Sequence, residues 1–172
     1  MIGRGMKRAA AAGAAALALG LFAGASAQMK SAITADELEA VLSDAGLSPS
    51  MTTDASTGAP VAKGKAGDVT FWVRALDCSG TPKSCQTLMF FANFDLGRGA
   101  TANDFRIMNK FNDKQVFGRA YVLDASQQVG VDYVIELTGG VSMDNLTSNI
   151  ARWSDVITAF MNNFTESQTG SS

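Results

Sequence analysis

The sequence predicts an α+β fold: an antiparallel sheet of about five strands with three helices packed on it. Two stretches, Val69 to Ala75 and Leu88 to Phe94, alternate apolar groups with period two across a short loop, as antiparallel strands do. Three other segments repeat apolar residues at helical spacing behind capping residues. No internal repeat and no strand-helix alternation demands a parallel sheet. The predicted order is α-β-β-β-α-β-β-α.

Thr34-Ala35-Asp36-Glu37 is a capping box, and Leu38, Val41, Leu42 and Ala45 follow at helical spacing until Gly46 stops the helix. From Ser48 to Gly67 the composition turns to Ser, Thr, Gly, Ala and Pro. That stretch reads as a short edge strand around Met51 followed by a hairpin loop, too short to separate two cores. Val69, Phe71, Val73 and Ala75 then alternate with Thr70, Trp72, Arg74 and Leu76. Leu88, Phe90, Ala92 and Phe94 alternate likewise with Met89, Phe91 and Asn93. If Phe71, Val73, Phe90 and Ala92 face the helices, then Trp72, Met89 and Phe91 face the other way.

Thr101 is the expected N-cap of a second helix, with Asp104 at its third position and Phe105, Met108 and Phe111 as its apolar face. Arg119 to Asp124 and Val129 to Leu137 form a second hairpin, ended by Gly139-Gly140. Ser142 caps the last helix. Its apolar positions Met143, Leu146, Ile150, Trp153, Ile157, Phe160 and Phe164 recur at alternating intervals of three and four. This stripe suits either the sheet or a helix of a second subunit, so a homodimer is one expected arrangement. The tail from Thr165 is polar and expected to be flexible.

Met1 to Ala27 has the pattern of a secretory signal peptide. Arg4, Lys7 and Arg8 form its basic region, Ala9 to Phe22 its apolar run, and Ala25-Ser26-Ala27 a small-x-small cleavage site before Gln28. A signal anchor is the competing reading, but the run is rich in Ala and Gly and ends in a processing site. The expected organisation is a signal peptide over 1–27, an extension over 28–32, one domain over 33–164 and a tail over 165–172. Cleavage would release a periplasmic or secreted protein with no membrane attachment.

Removing 27 of 172 residues leaves 145, enough for one ordinary core. The remaining 11 Lys and Arg stand against 16 Asp and Glu, a formal charge of −5. No basic stripe is present, which argues against sequence-independent nucleic-acid binding. In an oxidising compartment Cys78 and Cys85, seven apart around Gly80 and Pro82, read as a disulfide stapling a turn between two strands. A redox-active pair or half of a zinc site are the alternatives. The first usually has two residues between its cysteines, and the second needs ligands that a histidine-free chain does not offer nearby.

The absence of histidine excludes Ser-His-Asp, Cys-His and histidine-ligated metal chemistry. No Ser-x-x-Lys occurs, and Gly58 and Gly64-Lys65 are misspaced for a phosphate loop. Gly97-Arg98-Gly99-Ala100-Thr101-Ala102 matches a relaxed dinucleotide fingerprint, but that fingerprint needs a parallel βαβ unit. A turn feeding the Thr101 cap is the plainer reading. Asp124 and Asp132 could approach across the second hairpin and hold calcium, although the residues between them lack an EF-hand rhythm. The sequons at Asn145 and Asn163 would carry no meaning if the host is a bacterium.

Asn109-Lys110-Phe111-Asn112, Phe117-Gly118-Arg119-Ala120-Tyr121 and Gly139-Gly140-Val141-Ser142, with Asn145-Leu146 and Trp153, resemble the YbjN-domain family of bacteria. The cysteine loop and Phe94-Asp95 fit the same pattern, over roughly Ile33 to Phe164. One departure is Phe111, where many members carry Trp. The resemblance implies a fold similar to type III secretion chaperones and a role in sensory-transduction regulation, with no established catalytic activity. No cofactor, metal or catalytic residue is expected. The expected function is a periplasmic protein-interaction or regulatory module of chaperone-like kind, with Trp72, Met89, Phe91 and Trp153 as its candidate partner surface. The alternative is a small-ligand or envelope-stress sensor with a pocket between helix and sheet, for which Arg74, Arg106, Arg119 and Tyr121 are the first lining candidates.

Overall fold

The computed structural model describes residues 29–169, with side-chain surroundings given through 166. The signal-peptide reading of 1–27 lies outside the described residues. Strand β1 (Met29–Lys30) precedes α1 (Ala35–Asp44), β2 (Ser50–Thr53), β3 (Pro60–Ala66), β4 (Val69–Ser79) and β5 (Ser84–Asp95). Then follow α2 (Ala102–Lys114), β6 (Arg119–Leu123), β7 (Gln128–Glu136), β8 (Val141–Ser142) and α3 (Met143–Thr169). Six strands form one antiparallel sheet in the order β2-β3-β4-β5-β7-β6, and β1 pairs with β8 as a separate ribbon. The α+β class is as expected, with one more strand in the main sheet.

The added strand is β3, which falls inside the segment expected to be a hairpin loop. Its inward positions are Ala62 and Gly64, so it carries no bulky apolar group that would advertise a strand. Gly64 has to be small. A Cβ there would stand 2.7 Å from Cζ of Phe71, whose ring occupies the space. The turn before it is organised by Asp54, whose carboxylate accepts from the amides of Ser56 and Thr57 at 3.0 Å each.

All three helices lie on one face of the sheet. Trp153 from α3 packs at its centre, 5.8 Å from both Phe71 and Phe90. Phe160 stacks on Phe94 at 5.3 Å and meets Phe111 edge-on at 5.6 Å. Leu38, Val41 and Leu42 of α1 complete this core. The expected capping box forms, with Thr34 Oγ1 accepting from the Glu37 amide and Glu37 Oε2 accepting from the Thr34 amide.

Two helical expectations are corrected. The buried face of α2 is Asp104, Ile107, Met108 and Phe111, while Phe105 is half exposed. Turning Asp104 inward to its partners forces its neighbour outward. Helix α3 also continues past Phe164 to Thr169, the last described residue. No helix among the described residues is long and apolar enough to cross a membrane.

Cys78 and Cys85 face one another across β4 and β5 and are bonded. Closing an eight-residue loop constrains the unfolded chain by about 2.5 kcal/mol on the loop-entropy relation. Replacing both cysteines with alanine is expected to lower unfolding free energy by about that amount in urea titration. A difference under about 0.5 kcal/mol would mean that the turn is held by its neighbours instead.

Candidate functional site

The face of the sheet opposite the helices is bare of any other element among the described residues. Strand alternation sends Trp72, Arg74, Met89, Phe91, Asn93, Asp132 and Val134 there. Register aligns Lys63, Trp72, Phe91, Asp132 and Arg119 as a single row across five strands. The next row runs Val61, Arg74, Met89, Val134.

Trp72 and Phe91 stack with ring centroids 5.9 Å apart at the centre. Lys63 Nζ sits 6.0 Å from the Trp72 ring, and the Arg74 guanidinium 5.4 Å from that of Phe91. Beyond Phe91, Asp132 accepts two bonds from Arg119, whose guanidinium also lies 5.8 Å from the Tyr121 ring. That hydrogen-bonded pairing raises the already high pKa of Arg119.

Tyr121 crosses over Gly130 to donate its hydroxyl to Asn93 Oδ1 at 2.7 Å. Burial, with the Asp132 charge adding to it, pushes the Tyr121 phenol up to about 12. A Cβ on Gly130 would lie 2.4 Å from Asn93 Oδ1 and 2.5 Å from the Tyr121 ring. Gly130→Ala is therefore expected to swing the tyrosine off and cost about 1–3 kcal/mol. An alkaline absorbance titration checks this: the step near pH 12 should move toward the ordinary tyrosine value of about 10.

A depression of about 480 Å³ lies between Arg74, Phe91, Asn93, Arg119 and Tyr121. A second of about 420 Å³ adjoins it past the Arg119–Asp132 pair, with Phe117, Val116 and Val134 on its apolar rim. Val116 is 87% exposed and Val134 51%. The Arg152 guanidinium covers the Phe117 ring at 4.2 Å.

Trp72, Met89 and Phe91 thus share one surface, as expected, but Trp153 does not. It is fully buried beneath the helices, because the α3 stripe packs on the sheet of its own chain. Arg74, Arg119 and Tyr121 do converge, on the outer face rather than between helix and sheet. Arg106 is exposed on α2, across the sheet from them. Asp132 is committed to Arg119, and Asp124 sits in the turn before Gln128, so the two carboxylates form no pair site. Among the described residues no three acidic or cysteine groups cluster as metal ligands. The glycine-rich turn after β5 does not serve a βαβ unit, since β5 is antiparallel to both neighbours.

Lys63 and Gly130 are the site residues that sequence patterning missed. Lys63 could be found only by recognising β3. Gly130, inside an otherwise regular strand, marks a close approach.

The motif residues gain physical roles here. Asn112 donates to the Ala120 carbonyl at 3.0 Å and accepts from the Ala120 amide at 2.7 Å, as a neighbouring strand would. Gly118, at positive φ, leaves room for Val156, which a Cβ would meet at 2.6 Å. Phe111 fills its slot against Phe160, with 1% exposure.

A family model described as "Putative bacterial sensory transduction regulator" matches residues 34–166. The chain is also similar to the crystal structure of YbjN from E. coli, described there as a putative transcription regulator. Identity is 13% and the TM-score 0.53, over 78% of this chain and 93% of that one, a likeness of fold. No curated protein matches the chain.

Proposed function

The chain belongs to the YbjN family, and from that premise we propose that it is a non-catalytic interaction or regulatory module, chaperone-like in action, working in the periplasm. The observation that carries this reading is the bare sheet face, where Trp72, Phe91 and Met89 lie half-buried side by side with exposed Val134. Contiguous apolar surface of this kind, rimmed by polar groups, marks a protein contact more often than it marks solvent. The leader pattern over 1–27, the joined cysteines and the family's description as a sensory transduction regulator support the same reading.

Cell fractionation combined with a photo-crosslinking amino acid at position 89, or at 110 on α2, tests it. The expected result is a periplasmic protein beginning at Gln28 that crosslinks a partner from 89 and not from 110. Full-length chain in the cytoplasm, or equal capture from both positions, would overturn the proposal. A small-ligand sensor is the second reading, favoured by the depression where Arg74, Asn93, Arg119 and Tyr121 converge. Native mass spectrometry of freshly purified protein would reveal such a ligand as a bound mass lost on Arg119→Ala.

A further inference from the structure

The occupant of the outer face can be narrowed by charge, given the interaction reading above. We infer that this face docks a short acidic peptide segment, extended, whose carboxylates and an apolar or aromatic residue stand at alternate positions and so share one face of the peptide. The protein after Ala27 is acidic overall, with formal charge −5, yet the two central rows of the face carry Lys63, Arg74 and Arg119 against Asp132 alone. Asp132 is already held by Arg119. Lys63 and Arg74 make no ion pair among the described residues.

Both free cations are laid against the central rings, Lys63 beside Trp72 and Arg74 beside Phe91. A carboxylate bound by either one places the side chain two positions along, which shares its face, on the aromatic pair. Lys63 and Arg74 stand one strand and two residues apart, roughly 8 Å on ordinary sheet spacings. Alternate side chains of an extended peptide are roughly 7 Å apart, a close match. The whole row from Lys63 to Arg119 spans four strand intervals, on the order of 19 Å, or about six extended residues.

The other occupants fit less well. A second copy of this chain docked face to face would bring two patches of the same net positive charge together, since a two-fold contact presents one patch to itself. A polynucleotide would run beyond the two central rows. There it would meet Asp77 and Glu136, both hydrogen-bonded to Thr87, at one end of the face and Asp95 at the other. A short peptide avoids these acids.

Fluorescence of Trp72, measured with a ten-residue peptide carrying Glu, Glu, Leu, Phe and Glu at its odd positions and serine at its even ones, tests the inference. The lysine-for-glutamate peptide and a ten-nucleotide thymidine oligomer are the competing probes. Expected are saturable quenching by the acidic peptide, its loss in high salt, and at least tenfold weaker binding to Lys63→Glu/Arg74→Glu. Lys110→Glu on α2 should bind as the parent does. Both replaced residues are exposed, so unchanged circular dichroism will show that the variant folds. Equal binding of the basic peptide, tighter binding of the oligomer, no quenching at millimolar peptide, or an unaffected double variant would each overturn the inference. The position-89 crosslink is read separately: a partner without acidic residues overturns the acidic class alone and leaves the interaction module standing.

Discussion

Asp104→Ala is expected to lower the unfolding free energy by about 3 kcal/mol, because it removes the charged acceptor that caps α2 while Arg98, 43% exposed, returns to water. The Asp104 carboxylate has no solvent exposure, yet four donors reach it. Arg98 grips both oxygens at 2.7 and 2.9 Å, and the Thr101 amide and hydroxyl each donate at 2.7 Å. One residue thus caps α2, holds the glycine turn after β5, and sets which face of the helix is buried. At roughly 3 °C per kcal/mol for a domain of this size, thermal melting should fall by about 10 °C. A shift under 2 °C would show that the cluster is incidental.

The same group predicts how stability responds to acid. Bonds from Arg98, more than any other contact, hold the Asp104 carboxyl well below its ordinary value of 3.8. A carboxyl depressed in the folded state stabilises fully above its unfolded pKa, and that contribution drains away as pH falls through the folded value. Parent protein should therefore lose stability steeply below about pH 4, whereas Asp104→Asn should start lower and fall less steeply. Parallel curves for the two proteins between pH 4 and 2 would contradict this assignment.

Trp153→Ala should cost about 3–5 kcal/mol, the range for emptying a large aromatic site. Trp153→Phe should behave differently. The indole N–H is buried with no hydrogen-bond partner among the described residues, so phenylalanine removes an unsatisfied donor while keeping contact with Phe71 and Phe90. Its expected loss is under about 1.5 kcal/mol, because the relieved donor offsets part of the lost packing. Equal losses for the two variants in urea titration would mean that the N–H has found a partner in solution.

Much of this architecture was legible from local chemistry. The Thr34 box, the Thr101–Asp104 cap and the alternation around Phe71 and Phe90 each need only neighbouring residues to declare themselves. From alternation alone, Trp72, Met89 and Phe91 could be placed on the face away from the helices. Strand β3 was hidden because its inward side is made of Ala62 and Gly64, chosen for the bulk of Phe71 on the next strand. Trp153 was ambiguous for a related reason: a stripe at helical spacing says that something covers it, not what does. The row joining Lys63 to Arg119 depends on pairing between positions as far apart as Phe91 and Asp132, since β5 lies beside β7 and β6 lies beyond it. No local pattern carries that register.

The Asn112 amide, seated on both main-chain groups of Ala120, has a wider effect. A sheet lengthens into a fibril only by recruiting fresh strands at each border, and the β6 border is already occupied by an imitation of one. An incoming strand would find both main-chain groups of Ala120 taken within the short β6, which makes that border a poor template for growth. The four-residue β2 at the other border offers few groups as well, which disfavours edge-on accretion in a protein with an open aromatic face.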